Sequence, residues 1–261
     1  MAMDENGDPL ANMTIFTKVN GNVYNETTDA NGYAAFVLDL DAGYYVAETS
    51  FEGDDKYGPK QITTPINVEA SGTVIKSAAS STVLLTAIKT GSYYKIVLLD
   101  TNDNWLANKT VSITFNGKTS TYVTDELGVI KYKLSVSKVG TQKLTIKFAG
   151  DNNYVGSTST ATIKITKQAT KVIAVNKVYK VRAKVKYYVM TLKDNKNKVI
   201  KKAKVTLRVN GKTYVAVTKA NGKAIFKITK LAKKGTFTAL VKFAGNGYYN
   251  PSLRAVKIRA I

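Results

Sequence analysis

The chain has 261 residues, with 39 basic and 18 acidic side chains, a formal net charge of +21, and neither Cys nor His. Without Cys and His, most nucleophile–base pairs and most transition-metal sites are excluded, and no disulfide can form. No run of about 18 apolar residues occurs, so no membrane-spanning segment is predicted. We therefore predict a protein that is not an enzyme and has no catalytic residue, no cofactor and no metal ion.

Taken in order, the chain divides into three related segments, residues 1–78, 79–167 and 168–261. Each segment carries one copy of the motif F-x-G-[DN]-x-x-Y. Its fixed residues are Phe51, Gly53 and Tyr57, then Phe148, Gly150 and Tyr154, and finally Phe243, Gly245 and Tyr249. A spacing of about 95 residues is that of a repeated small domain rather than of a solenoid repeat. We interpret the motif as structural, with a buried Phe, a Gly that permits the turn, and a Tyr that packs back.

Other landmarks recur in the same order in every repeat. Three Asn-Gly pairs precede the motifs, at Asn20-Gly21, Asn116-Gly117 and Asn210-Gly211. Between alternating apolar residues, Asn-Gly predicts a two-residue hairpin, because both turn residues need positive φ. A later Gly, at 43, 140 and 235, is predicted to open the strand that leads into the motif.

The first repeat is incomplete. Asp4 to Leu10 aligns with Asp100 to Leu106 of the middle repeat, where the strands Thr82–Ile88 and Tyr93–Leu99 are predicted before that point. The first repeat has nothing equivalent. We expect it to be a truncated domain that lacks its first strands, and a naturally shorter variant is the alternative.

The middle and third repeats consist of short segments of period two. Val111, Ile113 and Phe115 lie on one face of their segment, and no helical periodicity is present. This pattern predicts an all-β fold. We expect tandem immunoglobulin-like β-sandwich domains in an elongated array, joined by short linkers.

Charge is distributed very unevenly. The first repeat has 4 basic and 12 acidic residues, the middle repeat 11 and 5, and the third repeat 24 and 1. In the third repeat, the basic residues alternate with apolar residues along two segments, which places each set on one face of a strand. The predicted polyanion-binding residues are Lys180, Arg182, Lys184, Lys186, Lys202, Lys204 and Arg208.

The turns and the F-x-G-[DN]-x-x-Y motif resemble those of bacterial-type immunoglobulin-like (Big) tandem repeats, and more narrowly those of adhesin-like surface proteins of methanogenic archaea. The resemblance covers the middle and third repeats and the first without its opening strands. It implies an extracellular protein of the cell surface or cell wall, with a role in cell adhesion as a stalk or spacer. Such repeats share no catalytic residues.

The predicted partner is an anionic cell-wall or cell-surface polymer, with a carbohydrate or a surface protein of a host or partner cell as further candidates. Two other functions remain open: accessory immunoglobulin-like modules of a larger extracellular enzyme, and a basic domain that binds nucleic acid. Nucleic acid is disfavoured because clustered Arg residues and a recognised reader motif are lacking. The segment 100–104 opens like a calcium loop but has Trp105 and Val111 where such a loop needs Gly and Glu, so we predict a turn.

Overall fold

A computed structural model describes all residues 1–261 and contains twenty strands and one short helix. The strands form five sheets, and the fold is all-β, built from tandem immunoglobulin-like sandwiches. No helix has the length and hydrophobicity needed to cross a membrane.

The first repeat forms a single four-stranded sheet in the order β2-β1-β3-β4. Its strands are β1 (Thr14–Val19), β2 (Asn22–Thr27), β3 (Gly43–Phe51) and β4 (Lys60–Val68). Residues 33–42 form no strand. Only two apolar side chains of this repeat are buried, Val19 and Ala47. The first repeat therefore has one layer where a sandwich needs two.

The middle repeat is a complete sandwich of a three-stranded sheet, β10-β7-β5, and a five-stranded sheet, β6-β12-β11-β8-β9. Eighteen buried apolar residues form its core. Its elements are β5 (Thr73–Ser77), β6 (Ser80–Leu84), α1 (Leu85–Thr90), β7 (Tyr93–Asp100), β8 (Thr110–Phe115), β9 (Lys118–Val123), β10 (Val129–Lys133), β11 (Gly140–Gly150) and β12 (Val155–Thr166).

The third repeat has the same two-sheet arrangement, with sheets β13-β15-β18 and β14-β20-β19-β16-β17 and a core of 20 buried residues. Its strands are β13 (Thr170–Ile173), β14 (Lys177–Tyr179), β15 (Lys186–Asp194), β16 (Lys204–Val209), β17 (Lys212–Val217), β18 (Lys223–Ile228), β19 (Gly235–Phe243) and β20 (Ser252–Ala260). The first repeat has counterparts of β16, β17, β19 and β20 only, in β1, β2, β3 and β4.

The Asn-Gly hairpins and the strand-opening glycines are confirmed. Each pair connects two antiparallel strands with both residues at positive φ, for example Asn116 at 52° and Gly117 at 73°. The strands β3, β11 and β19 begin at the predicted glycines. Local turn chemistry thus fixes the register of each hairpin.

A buried threonine lies at the same place in all three repeats, at Thr28, Thr124 and Thr218. The Thr124 hydroxyl accepts a hydrogen bond from the Lys109 N–H at 2.9 Å and donates to the Leu106 carbonyl at 2.6 Å. One side chain therefore satisfies two backbone groups of the loop that enters the sandwich.

Two sequence predictions need correction. The strand β5 lies inside the predicted first segment, 1–78, but it pairs with β7, and its Ile75 packs on the middle core. The boundary between the first two repeats therefore falls before residue 71. The predicted strand Thr82–Ile88 ends at Leu84 and continues as α1, because Leu85 and Ile88, three residues apart, both turn into the core from a helical turn.

Candidate binding surface

The third repeat carries its positive charge without acidic partners. Both salt bridges of the chain, Lys76–Asp103 and Lys109–Asp151, lie in the middle repeat. The one acid of the third repeat, Asp194, is buried, and its carboxylate accepts the N–H groups of Lys196 and Lys198. That carboxylate closes a turn instead of pairing with a lysine ammonium, so the basic side chains face solvent uncompensated.

Three of the predicted residues, Lys202, Lys204 and Arg208, lie on or next to β16. Lys204 and Arg208 are exposed on the outer face of β16, with Thr206 between them. Lys202 precedes the strand in a left-handed turn with φ of 54°, and its side chain is exposed. Alternation therefore holds for two of these three residues, and the third reaches solvent from a turn.

Of the predicted set Lys180, Arg182, Lys184 and Lys186, only Lys186 lies on a strand, at the start of β15. Residues 180–185 connect β14 to β15 through a turn and irregular backbone, and Lys180, Arg182 and Lys184 are exposed there. Lys186 is buried, and its ammonium donates to the carbonyls of Ala183 at 2.6 Å and Val181 at 3.3 Å. The expectation that Lys186 shares an exposed strand face with the other three is wrong, because its side chain satisfies carbonyls of the turn beneath it.

These two sets lie at opposite ends of the third sandwich. Lys186 and Asp194 are the ends of the nine-residue β15, about 26 Å apart, and the Ile200 N–H just before Lys202 bonds to Leu192 near the Asp194 end. At the Lys186 end, Lys180, Arg182 and Lys234 line a shallow cavity of about 540 Å³. The basic surface is therefore distributed along the repeat and has no enclosed site.

Sequence reasoning missed further cations on the same outer face as β16. Lys242 of β19 lies opposite Thr206, and Lys257 of β20 donates to Thr238 at 2.8 Å. Arg259 lies opposite Thr236 on the same face. The signal was present, since Lys257 and Arg259 alternate with the buried Val256 and Ile258. These side chains extend a positively charged face across the five-stranded sheet.

The motif residues have backbone roles in all three repeats. The glycines Gly53, Gly150 and Gly245 have φ of 91°, 89° and 83°. The side-chain oxygen after each glycine accepts the N–H two residues further on, in Asp54, Asp151 and Asn246 alike. An amide oxygen serves as well as a carboxylate in this contact, which explains why Asp and Asn both occur at that position. Phe148 and Phe243 are buried, while Phe51 is half-buried.

Several tyrosines of the third repeat have pKa values that are raised by burial. Burial raises the pKa of Tyr179 to about 12, and its hydroxyl donates to the Tyr187 carbonyl at 2.7 Å. Burial also raises the pKa of Tyr188 and that of Tyr249. Each phenol is therefore a neutral packing group at physiological pH, and none is poised to act as a base.

The first repeat has a groove of about 650 Å³ beside its single sheet. Met1, Met3, Ile15, Phe51 and Ile62 are among its lining residues. In the complete repeats, the three-stranded sheet covers this side. No three His, Cys, Asp or Glu side chains in the chain lie close enough together to hold a metal ion.

No protein-family model and no curated protein matches the chain. Solved structures that match the chain include a 1.5-MDa bacterial ice-binding adhesin, at 17% identity, covering 98% of this chain and 88% of that one, with a TM-score of 0.35. Invasin, a bacterial integrin-binding protein, matches at 15% identity over 100% of this chain and 55% of its own, with a TM-score of 0.43. With TM-scores below 0.5, neither match carries an argument about this chain, and the sandwich arrangement rests on its own strand pairing.

Proposed function

We propose that the chain is part of a non-enzymatic, adhesin-like protein of the cell surface. In this proposal the sandwich repeats serve as a stalk, and the third repeat binds an anionic polymer of the cell wall or of an adjoining surface. The extracellular location and the membership among archaeal surface proteins rest on the repeat motif, which resembles that of Big repeats.

One observation carries the proposal: the third repeat has 24 basic side chains, one acid, and no salt bridge. Mixed charges would be enough for solubility, so this excess needs another explanation. Self-repulsion among these charges lowers the stability of the free repeat, and an anionic surface would relieve it. Because the cations are spread along the repeat, a long flexible polyanion fits them better than a small anion does.

The test compares two variants of the full chain on an immobilised acidic polysaccharide such as alginate. In the first variant, the six exposed predicted residues become Gln: Lys180, Arg182, Lys184, Lys202, Lys204 and Arg208. In the matched control, six exposed lysines of the middle repeat become Gln: Lys95, Lys118, Lys131, Lys133, Lys143 and Lys147. Both variants lose the same charge.

We expect the third-repeat variant to lose most of its retention and the control to lose little. Equal losses would reject the third repeat as the binding unit, because net charge alone would then explain retention. Duplex DNA added as a competitor at the same salt tests the nucleic-acid alternative. The nucleic-acid alternative is favoured if DNA displaces the chain at a much lower phosphate concentration than the carboxylate concentration at which free alginate displaces it.

A further inference from the structure

The outer face of the three-stranded sheet in the third repeat carries an exposed apolar patch. It consists of Ile173, Val175, Tyr187, Val189 and Ile225, whose exposed fractions are 38%, 64%, 58%, 44% and 43%. Val189 lies directly opposite Ile225, and Ile173 lies opposite Thr191, two residues along from Val189 on the same face. Ile173, Tyr187, Val189 and Ile225 are therefore neighbours across three strands, and Val175 follows two residues beyond the end of β13. We call this group the apolar patch.

The middle repeat differs from the third at three positions of the patch, although its exposed Tyr93 takes the place of Tyr187. Aligning the two sheets on Asp100 and Asp194 places Lys76, Lys95 and Lys131 at the positions of Ile173, Val189 and Ile225. The third repeat has 24 basic residues against 12 in residues 71–167, yet it is apolar at these three positions. If the lysines served only solubility, lysine would be expected at these three exposed positions too. A binding surface explains why they are apolar.

Lysines flank the patch on the same face. Lys171 lies opposite Lys193 at one edge, Lys223 lies opposite Thr191, and Lys227 lies opposite Tyr187. An apolar centre with a charged rim is the usual composition of a protein–protein interface. The matching surface needs exposed apolar side chains at its centre and carboxylates around them.

The first repeat of the chain offers such a surface. It has 12 acidic and 4 basic residues in the range 1–78. On the outer face of its sheet, β3 presents Tyr44 and Val46, which are 88% and 58% exposed, followed two residues later by Glu48. The middle and third repeats have no apolar residue at the first two of these positions: Thr141 and Thr236 replace Tyr44, and Lys143 and Thr238 replace Val46. The first repeat is thus complementary to the apolar patch in both charge and hydrophobicity.

We propose that the apolar patch binds the β3 face of the first repeat of a second molecule of this chain. Within one molecule, hydrogen bonds join the first repeat to the middle repeat, through Asn153 to Asp41 and Ala42, and the middle repeat to the third, through Thr86 to Gln168. The middle repeat separates the two surfaces, so the contact forms between molecules. Two different surfaces meet in this contact, and an interface of that kind builds rings where its rotation closes and open-ended assemblies where it does not.

Electrostatics permits this contact despite the net charge of +21. At about 0.1 M salt, the Debye length is about 10 Å, so a molecule senses the acidic repeat next to it rather than the distant basic repeat. Contact between an acidic and a basic repeat then follows local charge. For a stalk on a surface, the result is lateral or end-on association of neighbouring stalks, which goes beyond the binding of a polymer.

The test is sedimentation velocity of the full chain over a hundredfold range of concentration. Val189→Lys with Ile225→Lys gives the third repeat the residues that the middle repeat already carries, so the variant should fold. Val123→Lys with Val155→Lys adds the same two charges at side chains of the middle repeat that are 60% and 52% exposed. Tyr44→Thr with Val46→Lys gives the first repeat the residues of the middle repeat.

We expect the sedimentation coefficient of the wild-type chain to rise with concentration. The patch variant and the β3 variant should both associate at least tenfold more weakly, and the middle-repeat control should match the wild-type chain. A wild-type coefficient that does not change with concentration would overturn the proposal. So would an equal loss in the control, or normal association of the β3 variant.

The same variants separate this proposal from polymer binding. The patch variant gains two positive charges, so its retention on alginate should stay the same or increase while its self-association falls. Loss of both properties in the patch variant would overturn the assignment of the patch to self-association.

Discussion

The contrast between a complete and an incomplete core is sharpest at one position of the motif. Phe148 is 3% exposed within the 18-residue core of the middle repeat, and Phe243 is 2% exposed within the 20-residue core of the third. Phe51 occupies the same position in the first repeat but is half-buried at the edge of the open groove. Truncating each ring to Ala therefore measures how much core surrounds it.

The magnitudes follow from burial. A fully packed Phe replaced by Ala costs about 3–5 kcal/mol, because the cavity adds to the lost transfer free energy. For Phe51 we expect about 1 kcal/mol, since its ring is already partly in water and the open sheet can relax around it. At 1.36 kcal/mol per factor of ten, Phe148→Ala should speed exchange of the most protected β11 amides by roughly 10²- to 10⁴-fold. The corresponding effect of Phe51→Ala on β3 should be about fivefold.

Native-state hydrogen exchange with mass spectrometry measures the exchange rates of the β3 and β11 amides in one experiment. In the wild-type chain we expect β3 to exchange faster than β11 and β19, because only two apolar side chains of the first repeat are buried. Phe243→Ala serves as the control and should affect β19 as Phe148→Ala affects β11. Equal protection of β3 and β11, or equal costs for Phe51→Ala and Phe148→Ala, would refute the conclusion that the first repeat lacks a core.

Further predictions concern stability, pH and shape. Thr124→Val should destabilise the middle repeat by about 1–3 kcal/mol, because the Lys109 N–H loses its acceptor; an unchanged urea midpoint would contradict this. Since the folded pKa of Tyr179 is raised to about 12 from an ordinary 10.0, the unfolded chain ionises first, and the third repeat should lose stability between these pH values. Flat stability across that window in denaturant titrations would count against the burial of this phenol. X-ray scattering should give a maximum dimension of about 110–130 Å, from three repeats end to end, and a compact particle would reject the tandem arrangement.

Much of the fold follows from local chemistry in the sequence. The Asn-Gly pairs and the strand-opening glycines act through the φ angles of one or two residues, so single positions such as Asn116 and Gly117 suffice to predict them. Alternation of Val111, Ile113 and Phe115 likewise indicates the buried face of β8. Each of these features depends on neighbours along the chain.

Features that depend on distant parts of the chain were harder to predict. The turn at residues 180–185 has no Gly, Pro or Asn, so the alternation around Lys186 resembled a strand. The burial of Lys186 depends on where the carbonyls of Val181 and Ala183 point. The apolar patch combines residues of β13, β15 and β18, and no window of sequence brings them together before the strand order is known.

The assignment of β5 shows the same limit. Its residues Thr73–Ser77 follow the first repeat without a break in composition, and only pairing with β7 places them in the middle repeat. Likewise, the apolar residues around Leu85 fit a strand by composition, and only the burial of both Leu85 and Ile88 identifies a helical turn. Short apolar segments of this kind are ambiguous by periodicity alone.

The salt dependence of polymer binding tests the central claim most directly. The affinity of the full chain for an acidic polysaccharide should fall steeply between about 0.1 M and 1 M salt, as the Debye length shrinks from about 10 Å to about 3 Å. The six-residue variant of the third repeat should bind weakly throughout and show a shallower dependence, whereas the middle-repeat control should follow the wild-type curve. Wild-type affinity that stays constant across this range, or a variant with an unchanged slope, would contradict a binding surface built on the unpaired charges of the third repeat.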